Sequence, residues 1–172
     1  MKRIAIALGA LCLSTLASAP AQAGELFGGL YVHDLDTPLT RSNIESGVDV
    51  QIGWRGGRIG STPLQPYAFA AVNTAGETNY AAAGISAKFG KQLYVRPGVG
   101  IAVHSGSSGN FQRTDKIAFG SRVLFAPELG VGVQLSERVS VEASWVHMSH
   151  AQLLGGQNPG IDNIGMRINV RF

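Results

Sequence analysis

Hydrophobic and polar residues alternate along most of the chain after Gly24, and no apolar stripe of helical period stands out. In the segment 91–104, one set of alternate positions is apolar: Leu93, Val95, Val99, Ile101 and Val103. The positions between them are polar or small: Gln92, Arg96, Gly98, Gly100 and His104. Because successive side chains of a strand point to opposite faces, this pattern predicts β-strands with one apolar and one polar face.

The alternation predicts eight strands. They cover roughly residues 25–34, 45–56, 64–75, 78–90, 91–104, 119–135, 138–149 and 161–172. The connections after the first, fifth and seventh strands are long, and those after the fourth and sixth are tight turns. Long loops at one end and short turns at the other are typical of outer-membrane barrels, whose strands need about 9–11 residues. We therefore predict an all-β, eight-stranded antiparallel transmembrane β-barrel, with a soluble β-protein as the alternative.

The N-terminal segment has the pattern of a secretory signal. Met1-Lys2-Arg3 is charged, Ile4 to Leu16 is largely apolar, and Ala21-Gln22-Ala23 has the small-x-small pattern of a cleavage site. We predict a signal peptide at residues 1–23 and the barrel at 24–172. Cleavage would remove Cys12, which is the only cysteine, and also Lys2 and Arg3, which contribute to the formal charge of +3. Disulfide chemistry is then excluded, and nothing indicates a nucleic-acid partner.

Candidate chemistry lies at the end of the seventh predicted strand. Its apolar face runs through Val139, Val141, Ala143 and Trp145, and by parity continues with His147 and Ser149. Polar residues on a lipid-facing stripe are costly unless they have a function. A histidine base beside a hydroxyl is the minimum requirement for nucleophilic catalysis.

The alternation in the eighth predicted strand indicates a third polar residue on the same face as His147 and Ser149. Counting back by two from its apolar face reaches Asp162, whereas Glu142 faces the lumen. An acid, a base and a serine on one face of neighbouring strands match the logic of a catalytic triad. With both termini in the periplasm, the three residues would lie at the external rim. The alternative is that they are interfacial polar residues and that Trp145 belongs to an aromatic girdle.

Other candidates are weaker. His104-Ser105 precedes a Gly/Ser-rich segment, but His104 should face the lumen. His33, Asp34 and Asp36 supply too few oxygen ligands for a hard cation and are predicted to be first-loop residues. By parity His150 lies on the wrong face to replace His147.

The sequence His147-x-Ser149, followed by Asn158-Pro159-Gly160-Ile161-Asp162 and an amphipathic strand ending in Phe172, resembles the lipid A 3-O-deacylase (PagL) family. The resemblance implies an eight-stranded outer-membrane barrel that hydrolyses the 3-O-linked acyl chain of lipid A in lipopolysaccharide without a cofactor or metal. It implies His147 as general base, Ser149 as nucleophile and Asp162 as orienting acid, at a position where the best-known members have glutamate.

The same resemblance extends to the oxyanion hole. Where the family commonly has asparagine after the serine and glycine two residues further on, this chain has His150 and Gln152. Asn158 matches a family asparagine in the same loop. Asn158 and Gln152 are therefore the residues that the resemblance suggests as supports of the oxyanion. The alternative function is a non-enzymatic small barrel with a structural or surface-interaction role; a palmitoyl-transferring barrel is more distant. A homodimer that pairs through lipid-facing surfaces stays open.

Overall fold

The computed structural model describes residues 24–40, 43–109, 115–154 and 158–172. The predicted signal peptide lies outside these residues. The described chain forms eight strands, one of which is interrupted at Lys88. They are β1 (Glu25–Val32), β2 (Val48–Arg55), β3 (Leu64–Asn73), β4 (Tyr80–Ala87, extended by Phe89–Gly90), β5 (Leu93–His104), β6 (Val123–Gln134), β7 (Val139–Met148) and β8 (Ile161–Arg171). The described residues include no helix long and apolar enough to cross a bilayer.

The strands close into a barrel. Every strand pairs antiparallel with the next one along the chain, and β1 pairs with β8 in a register that places Leu26 opposite Val170. Closure leaves no free sheet edge with unpaired backbone groups, which is what a membrane-spanning sheet requires. The predicted eight-stranded antiparallel transmembrane barrel is confirmed.

The outer wall is apolar and exposed along every strand. Ile52 is 70% exposed and Leu93 is 66% exposed, and every other strand except β7 also has exposed large hydrophobic residues. On β7 the outward positions are partly exposed, and Ala143 is exposed. Monomeric soluble proteins rarely expose an apolar surface of this extent, so the wall matches a lipid environment. The predicted faces of β5 and β8 are both confirmed, because their apolar positions are exposed while Arg96 and Arg167 are buried.

The lumen is filled by aromatic and charged side chains. Three buried arginines pair with three glutamates; they are Arg55, Arg96 and Arg167, with Glu25, Glu128 and Glu142. Arg167, for example, donates to Glu142 at 2.7 Å and to Glu128 at 3.1 Å. Phe27, Tyr67, Phe69 and Tyr80 pack around these groups in stacked and edge-to-face pairs. The barrel therefore has a packed core rather than an open channel.

The connections differ at the two ends of the barrel. At one end the strands are connected over residues 56–63, 91–92 and 135–138. At the other end the connections span 33–47, 74–79, 105–122 and 149–160, and all of these except 74–79 are longer. The short turns mark the periplasmic end. His147 and Ser149, at the end of β7, consequently lie at the opposite, external rim.

Candidate active site at the external rim

His147 and Ser149 project from the outer face of the barrel at the end of β7. Side chains on the even positions of this strand are buried in the lumen, whereas those on the odd positions are partly or fully exposed. Residues two apart share a face, so the two side chains meet. His147 Nε2 and Ser149 Oγ lie 2.9 Å apart, within hydrogen-bonding distance.

Asp162 completes a relay of hydrogen bonds. The register of β7 and β8 places His147 directly opposite Asp162, where side chains on one face approach most closely. His147 Nδ1 lies 2.8 Å from Asp162 Oδ1. A carboxylate can only accept, so Nδ1 carries the proton and leaves Nε2 to accept from the Ser149 hydroxyl. This is the tautomer that a general base requires.

Two further donors hold the Asp162 carboxylate. Trp145 Nε1 donates to Oδ1 at 2.8 Å, and the Thr37 hydroxyl donates to Oδ2. The residues meet because Trp145 precedes His147 on the outer face of β7, while Thr37 belongs to the first external loop. Asp162 is fully buried under this cover although it belongs to the outer face. A buried carboxylate needs such partners, since burial without them would be costly.

The first loop is docked on β8 by its backbone. Leu35 N donates to Asp162 O at 2.8 Å, and Asp34 N donates to Asn163 Oδ1 at 3.0 Å. Asp34 in turn accepts from the backbone of Ile44 and Glu45. These bonds bring Thr37 over the outer wall, next to the acid.

A buried ion cluster anchors the same loop on its inner side. His33 contacts Asp49 at 2.9 Å and Glu45 at 3.1 Å. Burial alone would lower the pKa of His33, but its hydrogen bonds to the two carboxylates outweigh this and raise the pKa to about 9. Burial would raise the pKa of Glu45, but hydrogen bonds from His33 and Thr78 prevail and lower it to about 2. The cluster is therefore an ionic contact at neutral pH.

Gly160 leaves space beside the histidine. Its φ of +67° suits glycine, and an added Cβ would lie 3.0 Å from Thr40 Oγ1 and 3.4 Å from His147 Cε1. The glycine thus lets the loop before β8 pass close to the imidazole ring.

The two residues predicted to support an oxyanion are placed differently. Asn158 Oδ1 accepts from the backbone N–H of His150 at 2.8 Å, which fastens the loop directly after Ser149. Gln152 is exposed in a turn where it and Ala151 both have positive φ. The hydrogen bonds among the described residues connect neither Asn158 nor Gln152 to Ser149. Their supporting role stays a prediction.

The other candidate histidines do not share the outer face of the barrel with His147 and Ser149. His104 and His150 are both buried, as parity predicted. His33 pairs with Glu45 and Asp49, and Asp36 is exposed. Within the described ranges, no group of three or more His, Cys, Asp or Glu could hold a metal ion.

Sequence reasoning did not predict the contacts of Thr37 and Trp145 with Asp162. Thr37 lies 125 positions from Asp162, and nothing local marks it as a partner. Trp145 lies two positions before His147 on the same face, and this placement could have indicated its contact with the acid on the facing strand.

A closed barrel with an apolar outer wall and short turns at one end defines an outer-membrane β-barrel protein. The sequence profile of the lipid A 3-O-deacylase (PagL) family matches residues 44–171, and the chain belongs to this family. Comparison with curated proteins gave no match.

Solved structures share the fold. The crystal structure of the outer-membrane enzyme PagL superposes with a TM-score of 0.61 at 19% identity, covering 85% of this chain and 98% of that one. A de novo designed transmembrane β-barrel gives a TM-score of 0.56 at 11% identity, covering 90% and 98%. The Yersinia pestis outer-membrane protein Ail gives 0.51 at 10% identity, covering 87% and 99%. At these identities the likeness establishes the architecture.

Proposed function

We propose that this protein is an esterase that removes the 3-O-linked acyl chain of lipid A with Ser149, His147 and Asp162. The observation that carries the proposal is the continuous relay from Asp162 through His147 to Ser149, with contacts of 2.8 and 2.9 Å. Membership of the deacylase family supplies the substrate class. A site on the outer wall at the external rim is level with the leaflet that contains lipid A.

The chemistry follows from the protonation states. His147 Nε2 takes the proton of Ser149 Oγ as the oxygen attacks the ester carbonyl. The tetrahedral intermediate collapses, the acyl C–O bond breaks, and the imidazolium returns the proton to the departing sugar oxygen. Water, activated by the same histidine, then hydrolyses the acyl-enzyme to the free fatty acid and restores Ser149. Asp162 keeps the ring oriented and stabilises its positive charge throughout.

The intermediate also needs donors for its negative oxygen, because such donors often provide the largest share of the rate enhancement. Asn158 and Gln152 are our candidates, since both belong to the loop that follows Ser149. Asn158 is the stronger of the two, because it already contacts the backbone of His150.

The experiment is mass spectrometry of lipid A from cells that express the protein. Wild type should remove one ester-linked acyl chain, whereas Ser149→Ala and His147→Ala should each lower the rate by about 10⁶-fold, to no detectable product. Ser144→Ala is the matched control, because Ser144 lies on the same strand but faces the lumen. Heat-modifiable migration in electrophoresis confirms that each variant is folded.

The acid is tested in the same assay. Asp162→Asn should lower the rate by about 10⁴-fold, because the amide favours the wrong tautomer. Glu142→Gln changes a carboxylate that faces the lumen and should affect the rate much less. The reverse ranking would refute our choice of the acid. Unchanged lipid A from a folded wild-type barrel would favour the structural or surface-interaction role instead.

A further inference from the structure

A second polar site lies at the opposite, periplasmic end of the barrel. There the structure has an open cavity of about 730 Å³. The three periplasmic connections, the interruption of β4 and the end of β8 contribute basic residues to its lining: Arg58, Lys88, Lys91, Arg138 and Arg171. The lining includes a single acidic side chain, Glu137.

These cations lack the partners that the lumen arginines have. Arg55, Arg96 and Arg167 each form ion pairs with glutamates, whereas none of the five cations around the cavity forms an ion pair with a residue in the described parts of the chain. Lys88 donates a hydrogen bond to Gln134 at 2.7 Å and lies 3.8 Å from the centre of the Tyr94 ring. Both of these partners are uncharged.

The five cations outnumber the single acidic side chain of the lining, so positive charge is in excess around the cavity and a bound anion would relieve the repulsion. The guanidinium groups of Arg58, Arg138 and Arg171 are suited to phosphate, because their planar N–H donors can bind two phosphate oxygens at once. We propose that the periplasmic cavity binds a phosphate group of a small molecule or of a phospholipid. This site lies at the other end of the barrel from Ser149 and does not depend on the proposed esterase activity.

The phosphate could come from two sources. A soluble phosphomonoester could enter from the periplasm. The headgroup of an anionic phospholipid could reach the cavity from the inner leaflet, near which Phe172 lines the cavity and is 65% exposed. Both sources present the same chemistry to the arginines.

The test is isothermal titration calorimetry of glycerol 3-phosphate against the folded protein in phosphatidylcholine nanodiscs. Saturable binding to one site is expected, weaker at pH 5 than at pH 7.5 because a phosphomonoester loses charge below about pH 6. Arg138→Gln and Arg171→Gln should each weaken binding about tenfold, the effect of losing a charge-assisted contact. Arg122→Gln, the same change at the external end, should leave binding unaltered.

A parallel titration in nanodiscs that contain phosphatidylglycerol distinguishes the sources. Weaker apparent binding of glycerol 3-phosphate there would identify the phospholipid headgroup as a competitor. Equal binding in both discs would identify a soluble phosphomonoester. Absence of saturable binding in phosphatidylcholine discs, or an equal loss with Arg122→Gln, would overturn the proposal.

Discussion

Asp162 shows how a charged residue can persist on the lipid-facing side of a strand. It is fully buried, and its carboxylate accepts hydrogen bonds from His147, Trp145 and Thr37. Each bond to a charged group contributes roughly 1.5–3 kcal/mol. We therefore propose that Thr37 and Trp145 are positioning residues for the proposed triad, because they hold the Asp162 carboxylate without reaching Ser149 themselves.

We predict that Thr37→Val lowers kcat for lipid A deacylation about tenfold and leaves KM nearly unchanged. The variant keeps the shape of the side chain but removes one hydrogen bond to Asp162, which corresponds to roughly 1.5 kcal/mol. Kinetics on purified lipid A in mixed micelles would measure both constants.

Thr37→Ser should restore most of the rate, because it returns the hydroxyl. Thr74→Val is the control, since Thr74 lies next to another external turn and bonds the backbone of Val48 rather than the acid. Equal losses in Thr37→Val and Thr74→Val would show a general effect on the loops and contradict a positioning role.

Parity along the last two strands was sufficient to predict that His147, Ser149 and Asp162 share a face, because a period of two is a property of every strand. The sequence contains no comparable rule for Thr37, whose position depends on how the first loop folds back across β8. The distances in the relay likewise depend on the register between β7 and β8, which the pattern of faces constrains but does not define.

The first external loop connects the interior of the barrel to the site on its outer wall. Glu45 contacts His33 and accepts hydrogen bonds from the backbone N–H groups of Thr78 and Ile117. It therefore joins the first external loop to the second and third external connections. The same loop carries Thr37 to the acid. Loss of the contacts between His33 and Glu45 should therefore loosen the contact between Thr37 and Asp162.

We predict that the first loop is best ordered between about pH 4.5 and 6.5. The pKa of His33 is raised to about 9, so its stabilising contribution is complete below about pH 6.5 and is lost as pH rises through 9. The pKa of Glu45 is lowered to about 2, so its contribution is complete above about pH 4.5 and is lost as pH falls through 2. Hydrogen exchange of the Ile44 and Glu45 amides, corrected for intrinsic rates, would measure the change.

His33→Gln provides the reference, because glutamine has no charge to lose. Its exchange protection should stay nearly constant between pH 6.5 and 10. A wild-type loop with equally constant protection over this range would contradict the ionic contact.

The predicted elements agree with the structure in number and order, but several of them are too long at the external end. The first was predicted to reach residue 34, yet β1 ends at Val32, and the sixth was predicted from 119, yet β6 begins at Val123. Asp34 has a positive φ and its side chain caps Ile44 and Glu45, which ends the strand. Residue alternation cannot predict such a contact across a loop.

At the scale of the whole molecule, ion pairs between three arginines and three glutamates link neighbouring and distant strands across the inside of the barrel. Each of these carboxylates contacts at least two arginines. Removing one member of such a buried group leaves uncompensated charge, which costs roughly 3–5 kcal/mol. The network also fills the lumen, which leaves little room there for an acyl chain.

We predict that Arg167→Gln lowers the free energy of unfolding by about 3–5 kcal/mol, because it leaves Glu128 and Glu142 with less compensation. Urea unfolding in lipid vesicles, followed by tryptophan fluorescence in phosphate-free buffer, would measure the difference. Arg171→Gln is the control, since Arg171 is exposed on the same strand and has no ion pair within the described residues. Equal stability of the two variants would contradict the role of the network.

The sequence predicted that Arg96 and Glu142 face inward, because they occupy polar positions of their strands. It could not predict their partners. Arg55 and Glu128 are 73 positions apart, and they meet only when the sheet closes with a particular stagger.

Since neighbouring side chains of β7 point to opposite faces, Glu142 and Ser144 contribute to the interior while His147 and Ser149 belong to the outer wall. The parts of the protein that resist unfolding and the parts proposed to act on lipid are thus separated by the thickness of one sheet. Substitutions can accumulate at the rim without loosening the interior. A barrel of this kind could acquire or lose an activity over evolutionary time while its fold remains the same.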